Sequence, residues 1–534
     1  MPQPSRYRIE THPSLAEGWT LERLTPVSHL FGAAGMRIGP DGRIHVAQVS
    51  GSQISAIDIA TGAVEAISPL GGDIVAPDDL VFDARGNLYA TEVMNERVGV
   101  RAPDGTTRVL RDDLPMVNGI TMHQGRLFVD ECRIGGRLME LDLDGGAPRL
   151  LLEDIPMPNA LEMGPDGKLY FPVMGANEIW RIDPAGGAPE KVAGDLGVPD
   201  SVKFDARGFI VSTQVASGQV LRIDPRTGAR ELLAQLEPGL DNVVFHGERI
   251  FVSEFAGRIV ELLGDGRTRD LLAGGFNGPF GLTVGNDGEV YIADGPKMQR
   301  LLPDGGLHTV GMLFTPGCPG YMRGLATADG NGFIVTTSAG AVALYRPVEQ
   351  HSDILADGFD QLYGVAIAPG GDVIVAELGA GRVVAIRGGQ SEALATGLSQ
   401  PIDVAVTADG ICLIAEASAG RVVKAVRGGT ETVVDGLGTP HGIVVLGETL
   451  YIADVGLKAV IAVDLATGAR RTIAADLAIG PPPGVTPKFL RGFPPLSGPM
   501  GPFAGLSAGP DGTLYLSADG EGSIMALRLP NLPA

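Results

Sequence analysis

At steps of 40 or 41 residues the chain places Asp78, Asn118, Asn159, Asp200 and Asp241, each just ahead of an alternating apolar stretch. Carboxylate and amide oxygens brought to one point suit a hard divalent cation, which takes oxygen ligands. Taken singly, each position also suits a turn, because Asp and Asn hydrogen-bond their own backbone. Five in succession at one repeat position favour a shared ligand. Glu92, Glu131 and Glu254 end a second alternating stretch in three of the same repeats. They extend the acidic set, and Glu131 is a candidate for touching a substrate.

These residues need a frame, and the repeat supplies it. The segment PMPNALEMGPDGKLYF at 156–171 recurs as PDDLVFDARGNLYATE at 77–92, PDSVKFDARGFIVST at 199–213, PFGLTVGNDGEVYIAD at 279–294 and PHGIVVLGETLYIAD at 440–454. With Asn159 as reference, the remaining equivalents are Ala34, Phe280, Arg323, Tyr363, Ile402, His441 and Ala504; most steps are 39 to 44 residues. Each unit alternates with period two, turns at a Gly-containing pair and continues through three more strands such as EIWRIDP and EKVAGDL. Four strands at a period near 40 residues describe a β-propeller blade. The fold class is therefore all-β, with about twelve four-stranded blades. Rings of this kind hold four to eight blades, so two six-bladed β-propellers are expected.

The last repeat ends without a fourth strand, and GWTLERLTPV at 18–27 reads as an unattached one that would remove an exposed edge. The preferred partition puts 1–237 with 497–534 in a first propeller and 238–496 in a second. The sequential alternative is 1–276 and 277–534. The Pro/Gly-rich stretch IGPPPGVTPKFLRGFPPLSGPMGP, which lengthens the step from His441 to Ala504 to 63 residues, either carries the chain back or covers a channel mouth.

A formal net charge of −22 argues against nucleic-acid binding, which needs a basic face. Cys132, Cys318 and Cys412 are too few and too scattered for a disulfide framework or a thiolate metal motif. The N-terminus lacks a signal-peptide pattern, and no run of 18 apolar residues occurs. The expectation is a soluble, cytoplasmic protein acting on a small molecule, away from membranes and nucleic acid.

The segments NALEMGPDGKLYF and PDSVKFDARGFIVS resemble, in order and in adjacent blades, two segments of the SMP-30/gluconolactonase/luciferin-regenerating-enzyme family. The resemblance covers roughly the first 275 residues. It implies a divalent metal held by Asn118, Asn159 and Asp200; the pair Asp241-Asn242 is similar to the Asp-Asn pair that binds calcium in paraoxonases, which implies Asp241 as a further ligand. Calcium is the first expectation, with magnesium, manganese or zinc as alternatives. The chain departs from the family at blade 1, where FGAAGMRIGPDGR has Ala33 or Ala34 in place of a metal-binding Glu. The implied reaction is hydrolysis of a lactone or related ester: the metal polarises the carbonyl and a carboxylate, Asp200 first and Asp78 as alternate, takes a proton from water. No serine nucleophile is assigned.

In the second half, YGVAIAPGGDVIVAE and PHGIVVLGETLYIAD resemble NHL-type repeats and those of streptogramin lyase. That resemblance implies elimination with His441 as base. Tyr363 and Arg323 are then candidates for binding substrate, Arg323 through a bidentate hold on a carboxylate. A non-catalytic binding propeller is the third reading, since one scaffold hosts many functions.

Overall fold

The computed structural model describes Arg6, residues 11–494 and residues 496–529. These form twelve antiparallel sheets, eleven of four strands and one of five, and no α-helix; two single 3-10 turns occur at Val93–Asn95 and Met174–Ala176. No helix among the described residues is long and apolar enough to cross a membrane.

The strand sequences explain their order in each blade. Second strands such as Leu88–Glu92 are buried at every residue, because neighbouring blades cover both faces. Outer strands such as Glu190–Ala193, EKVA, are exposed at their first two residues and carry charge there. Adjacent blades pack through aliphatic clusters, for example Val81, Val98 and Leu110 against Ile120, Leu127 and Met139.

The chain separates into two compact units. One comprises His29–Asn277 with Val485–Phe493 and holds blades 1 to 6. The other comprises Gly278–Gly484 with the described residues of 1–28 and 494–534, and holds blades 7 to 12. This division replaces the partition of 1–237 with 497–534 against 238–496. Blade 6 is complete within Leu240–Leu272. It closes on blade 1, where the Ser253 hydroxyl donates to the Ala34 carbonyl at 2.9 Å and Phe251 packs among Met36, Ile44 and Val46. That ring needs no strand from elsewhere. In the other ring Thr20–Arg23 supplies the outer strand of blade 12 by pairing with Ser523–Arg528, and the Ser517 hydroxyl donates to the Phe280 carbonyl to join blades 12 and 7.

Candidate active site

In the 29–277 propeller, the residue two positions before every reference position has a left-handed backbone: Gly32, Ala76, Met116, Met157, Val198 and Gly239. For the β-branched Val198, at φ 63°, this conformation is strained and is imposed by the surroundings. The turn delivers the next residues into the innermost strand. Hydroxyls of the second strands then lock the reference backbone: Thr91 donates to the Asn118 carbonyl and Thr213 to that of Asp241. Adjacent strands approach closely, so that a Cβ on Gly119 would lie 2.6 Å from the Ala160 Cα.

The side chains so placed form an acidic ring with amide spacers. Asn159 Nδ2 donates to Asp200 Oδ1 at 3.2 Å and points at the Met174 sulfur at 3.3 Å, while its Oδ1 accepts the Ala160 N–H at 2.8 Å. The Asn118 amide hydrogen-bonds to Asp78. Burial, and then the charge of Asp79, pushes the Asp78 carboxyl up to about 7, against the Asn118 hydrogen bond. Burial, then Asp78, Asp79 and Asp130, holds Asp200 well above the usual carboxylate range. Asp241 is raised in the same direction by burial and then by Asp200, Asp78 and Asp79. Ala34 contributes only a methyl group at the sixth position.

Three groups around this ring escaped the sequence reading. Asp79 faces sideways and accepts the N–H groups of Leu80 and Ile120 at 2.8 and 3.3 Å, stapling blade 2 to blade 3. Asp130 occupies a position where blades 2, 5 and 6 carry Thr91, Thr213 and Ser253; its Oδ1 accepts the Gly119 N–H at 3.0 Å, its Oδ2 is buried without a hydrogen-bond partner among the described residues, and burial pushes its carboxyl up to about 8. Three residues further along the inner strands, half-buried Arg37 and Glu162 and buried Lys203 form a cluster, with Glu162 2.6 Å from Arg37 and 3.0 Å from Lys203. Arg37 also donates to the Ile120 and Leu80 carbonyls at 3.0 and 3.2 Å. The signal was a second column, three residues after the first. Cys132 is raised well above its ordinary value by burial and then by Asp130 and Asp200, so its thiol stays protonated.

Other predicted residues lie elsewhere. Glu131 is fully buried and ion-paired with Arg133, at 2.8 Å, and with Arg137, which corrects its assignment as a substrate contact. Glu92 is likewise structural: it accepts the Val75 N–H at 2.8 Å and pairs with Arg97 at 2.7 Å. Glu377 and Glu416 repeat this arrangement with Arg382 and Arg421. Arg323, Tyr363 and His441 belong to the other unit and do not join the acidic ring. His441 is buried; its Nδ1 accepts the Ala504 N–H at 3.1 Å, its ring stacks on Phe503 at 6.0 Å, and burial lowers its pKa to about 4. No carboxylate contacts it among the described residues. The chain holds one nucleophile-elbow spacing, Gly505-Leu506-Ser507-Ala508-Gly509. Leu506–Ala508 is an inner propeller strand, not the strand-to-helix turn that exposes a nucleophile.

The fold defines a pair of six-bladed propellers, and one of them carries a buried acid–amide ring. Residues 19–249 match the family model described as "SMP-30/Gluconolactonase/LRE-like region", which covers that ring. No curated protein matches the chain. Similar solved structures include virginiamycin B lyase from Staphylococcus aureus, at 17% identity over 52% of this chain and 96% of that one with a TM-score of 0.38. A streptogramin B lyase has 20% identity over 55% and 98%, with a TM-score of 0.39. A candidate gluconolactonase has 16% identity over 48% and 96%, also with a TM-score of 0.39.

Proposed function

We propose that the 29–277 propeller is a divalent-metal-dependent hydrolase of a lactone or related ester. The observation that carries this reading is what the ring carboxylates lack. Turn residues such as Asp83 and Asp205 each accept two backbone N–H groups. Asp78, Asp200 and Asp241 accept none among the described residues and have no Lys or Arg partner there. Burying an unpaired carboxylate costs several kcal/mol, which protons or a cation must offset.

The donor set fits a hard cation through its all-oxygen chemistry. Among the described residues no three His, Cys, Asp or Glu groups form a ready-made metal cluster, so the amide oxygen of Asn118 and the second lone pair of Asn159 Oδ1, which already accepts the Ala160 N–H, would serve beside Asp200 and Asp241. When bound, the metal would polarise the ester carbonyl and stabilise its developing negative charge.

Asp78 is suited to take the proton from the attacking water as a carboxylate of the ring held by the Asn118 amide. Asp200 holds Asn159 in place by accepting its amide N–H. The Arg37–Glu162–Lys203 cluster offers its cations to Glu162 and Asp79. The ring carboxylates are thus left without a Lys or Arg counter-charge among the described residues. Among the described residues His441 lacks the carboxylate neighbours that elimination through it would use, so hydrolysis takes precedence.

The test is metal analysis of purified protein, followed by a pH-stat assay of five- and six-membered lactones. Loss of both metal and acid release in Asp200→Ala and Asn159→Ala is expected. Full activity in both variants would remove the assignment.

A further inference from the structure

The mouth of the other propeller presents the opposite electrostatic problem. Arg323 is 1% exposed, yet its guanidinium has no acid partner among the described residues. Its Nη1 donates to the Leu362 carbonyl at 3.1 Å, its Nη2 to the Pro499 carbonyl, and its Nε is buried without an acceptor among the described residues. The cation lies 4.0 Å from the Tyr363 ring centroid. Ser338 Oγ is likewise buried and has no hydrogen-bond partner among the described residues. A guanidinium stays charged when buried, and carbonyl dipoles with one ring face compensate it far less than a carboxylate would.

What covers Arg323 is the chain itself. Residues 496–503, LSGPMGPF, run across this mouth, and Gly498 sits so tightly on Ser338 that a Cβ would come 2.3 Å from the Ser338 carbonyl oxygen. Phe503 packs edge-on against Tyr363 at 5.9 Å and lines a cavity of about 320 Å³ between the six inner strands. The strap thus presents an oxygen to Arg323 and, four residues on, an aromatic ring to Tyr363.

We infer that this mouth is a binding site for a small carboxylate with an aryl or alkyl body. The ligand's two oxygens would replace the Pro499 carbonyl and also satisfy Arg323 Nε, while its body lies against Tyr363 and Phe503. The strap holds the site closed in the absence of ligand. A carboxylate is favoured over a phosphate because one arginine and aromatic walls match a single planar anion. This site is separate from the acidic ring and stands whether or not that ring is catalytic.

Titration calorimetry with 3-phenylpropionate, 3-phenylpropionamide and 3-phenylpropylamine at fixed ionic strength tests it. The carboxylate should bind at least tenfold tighter than the amide and the amine. Gly498→Leu, which cannot seat the strap on Ser338, should bind the carboxylate at least threefold tighter than wild type. Arg323→Gln should lose at least tenfold, and should Arg323→Gln not fold, Arg323→Lys decides through loss of the bidentate hold. Equal binding of acid and amide, no carboxylate binding in either wild type or Gly498→Leu, or undiminished affinity in a folded Arg323 variant would overturn the inference.

Discussion

The two propellers share a frame and differ in what they point inward. In both, a second-strand hydroxyl locks the next blade's reference carbonyl: Thr213 and Ser253 in one, Thr336 and Ser517 in the other. In both, an inner-strand Asp bridges to the following blade, Asp79 to Ile120 and Asp403 to Ile443. The reference positions then read Ala, Asp, Asn, Asn, Asp, Asp in one ring and Phe, Arg, Tyr, Ile, His, Ala in the other. The shared positions tie blade to blade, whereas charge and polarity differ at the positions the rings do not share. The backbone follows the same division, since all six turns ahead of the acidic ring are left-handed but only Gln361 and Gln400 are so in the other.

The sharpest break of this comparison is a pair of substitutions. Asp200→Ala should lower lactone kcat/KM by at least about 100-fold, as loss of a metal ligand or a positioned base does. His441→Ala, in the other ring, should leave it within about twofold, the change expected of a site that is not engaged. Parallel loss in both variants would mean that the two columns serve one reaction.

Metal affinity comes next. Asp241→Asn keeps shape and oxygen but removes charge, and should weaken metal binding by about 10- to 100-fold in calorimetry. Because Asp78, Asp200 and Asp241 are all raised, binding at pH 7 should release protons, seen as a buffer-dependent enthalpy. Identical enthalpies in phosphate and Tris would contradict the charge state assigned to the ring.

The same shifts predict how the metal-free protein responds to pH. From about pH 4 to 7 for Asp78, and to about 8 for Asp130, the folded state keeps protons that the unfolded chain has already released. Stability of the 29–277 propeller should therefore fall as pH rises through that window, by up to about 1.4 kcal/mol per pH unit for each such group. Urea midpoints at pH 5.5 and 8 in EDTA measure this, and added divalent metal should reverse the slope. His441 shifts in the opposite way, since a neutral buried imidazole costs stability below its unfolded pKa. In the other propeller burial also raises Asp403 to about 8, which opposes the His441 effect, so the urea midpoint of that unit should depend on pH less steeply than that of the 29–277 propeller.

The blades and their reference column were legible because alternation, the Gly turn and the period repeat twelve times. The acid–amide ring was legible as a run within that column. Ring closure was not: an unpaired outer strand fits either ring, and only the packing of blade 6 on blade 1 decides. Asp130 could not be read either, since its meaning lies in replacing a Thr or Ser one blade away. Glu131 looked like a ligand because residue type alone does not reveal a partner, although Arg97, Arg382 and Arg421 lie five residues after Glu92, Glu377 and Glu416, a spacing that marks a structural pair.

The smallest effect probes what the rings share. Thr213→Val and Thr336→Val each remove a hydroxyl that caps a buried reference carbonyl while preserving volume. Leaving such a carbonyl unsatisfied costs about 1–3 kcal/mol. Both should therefore destabilise their own propeller to a similar degree, read as a lowered thermal midpoint for that unit. Only the Thr213→Val loss should be offset by divalent metal, because ligand linkage acts on the unit that holds the site. A metal rescue of Thr336→Val would show that the second propeller carries a cation as well, and would dissolve the contrast on which the functional division rests.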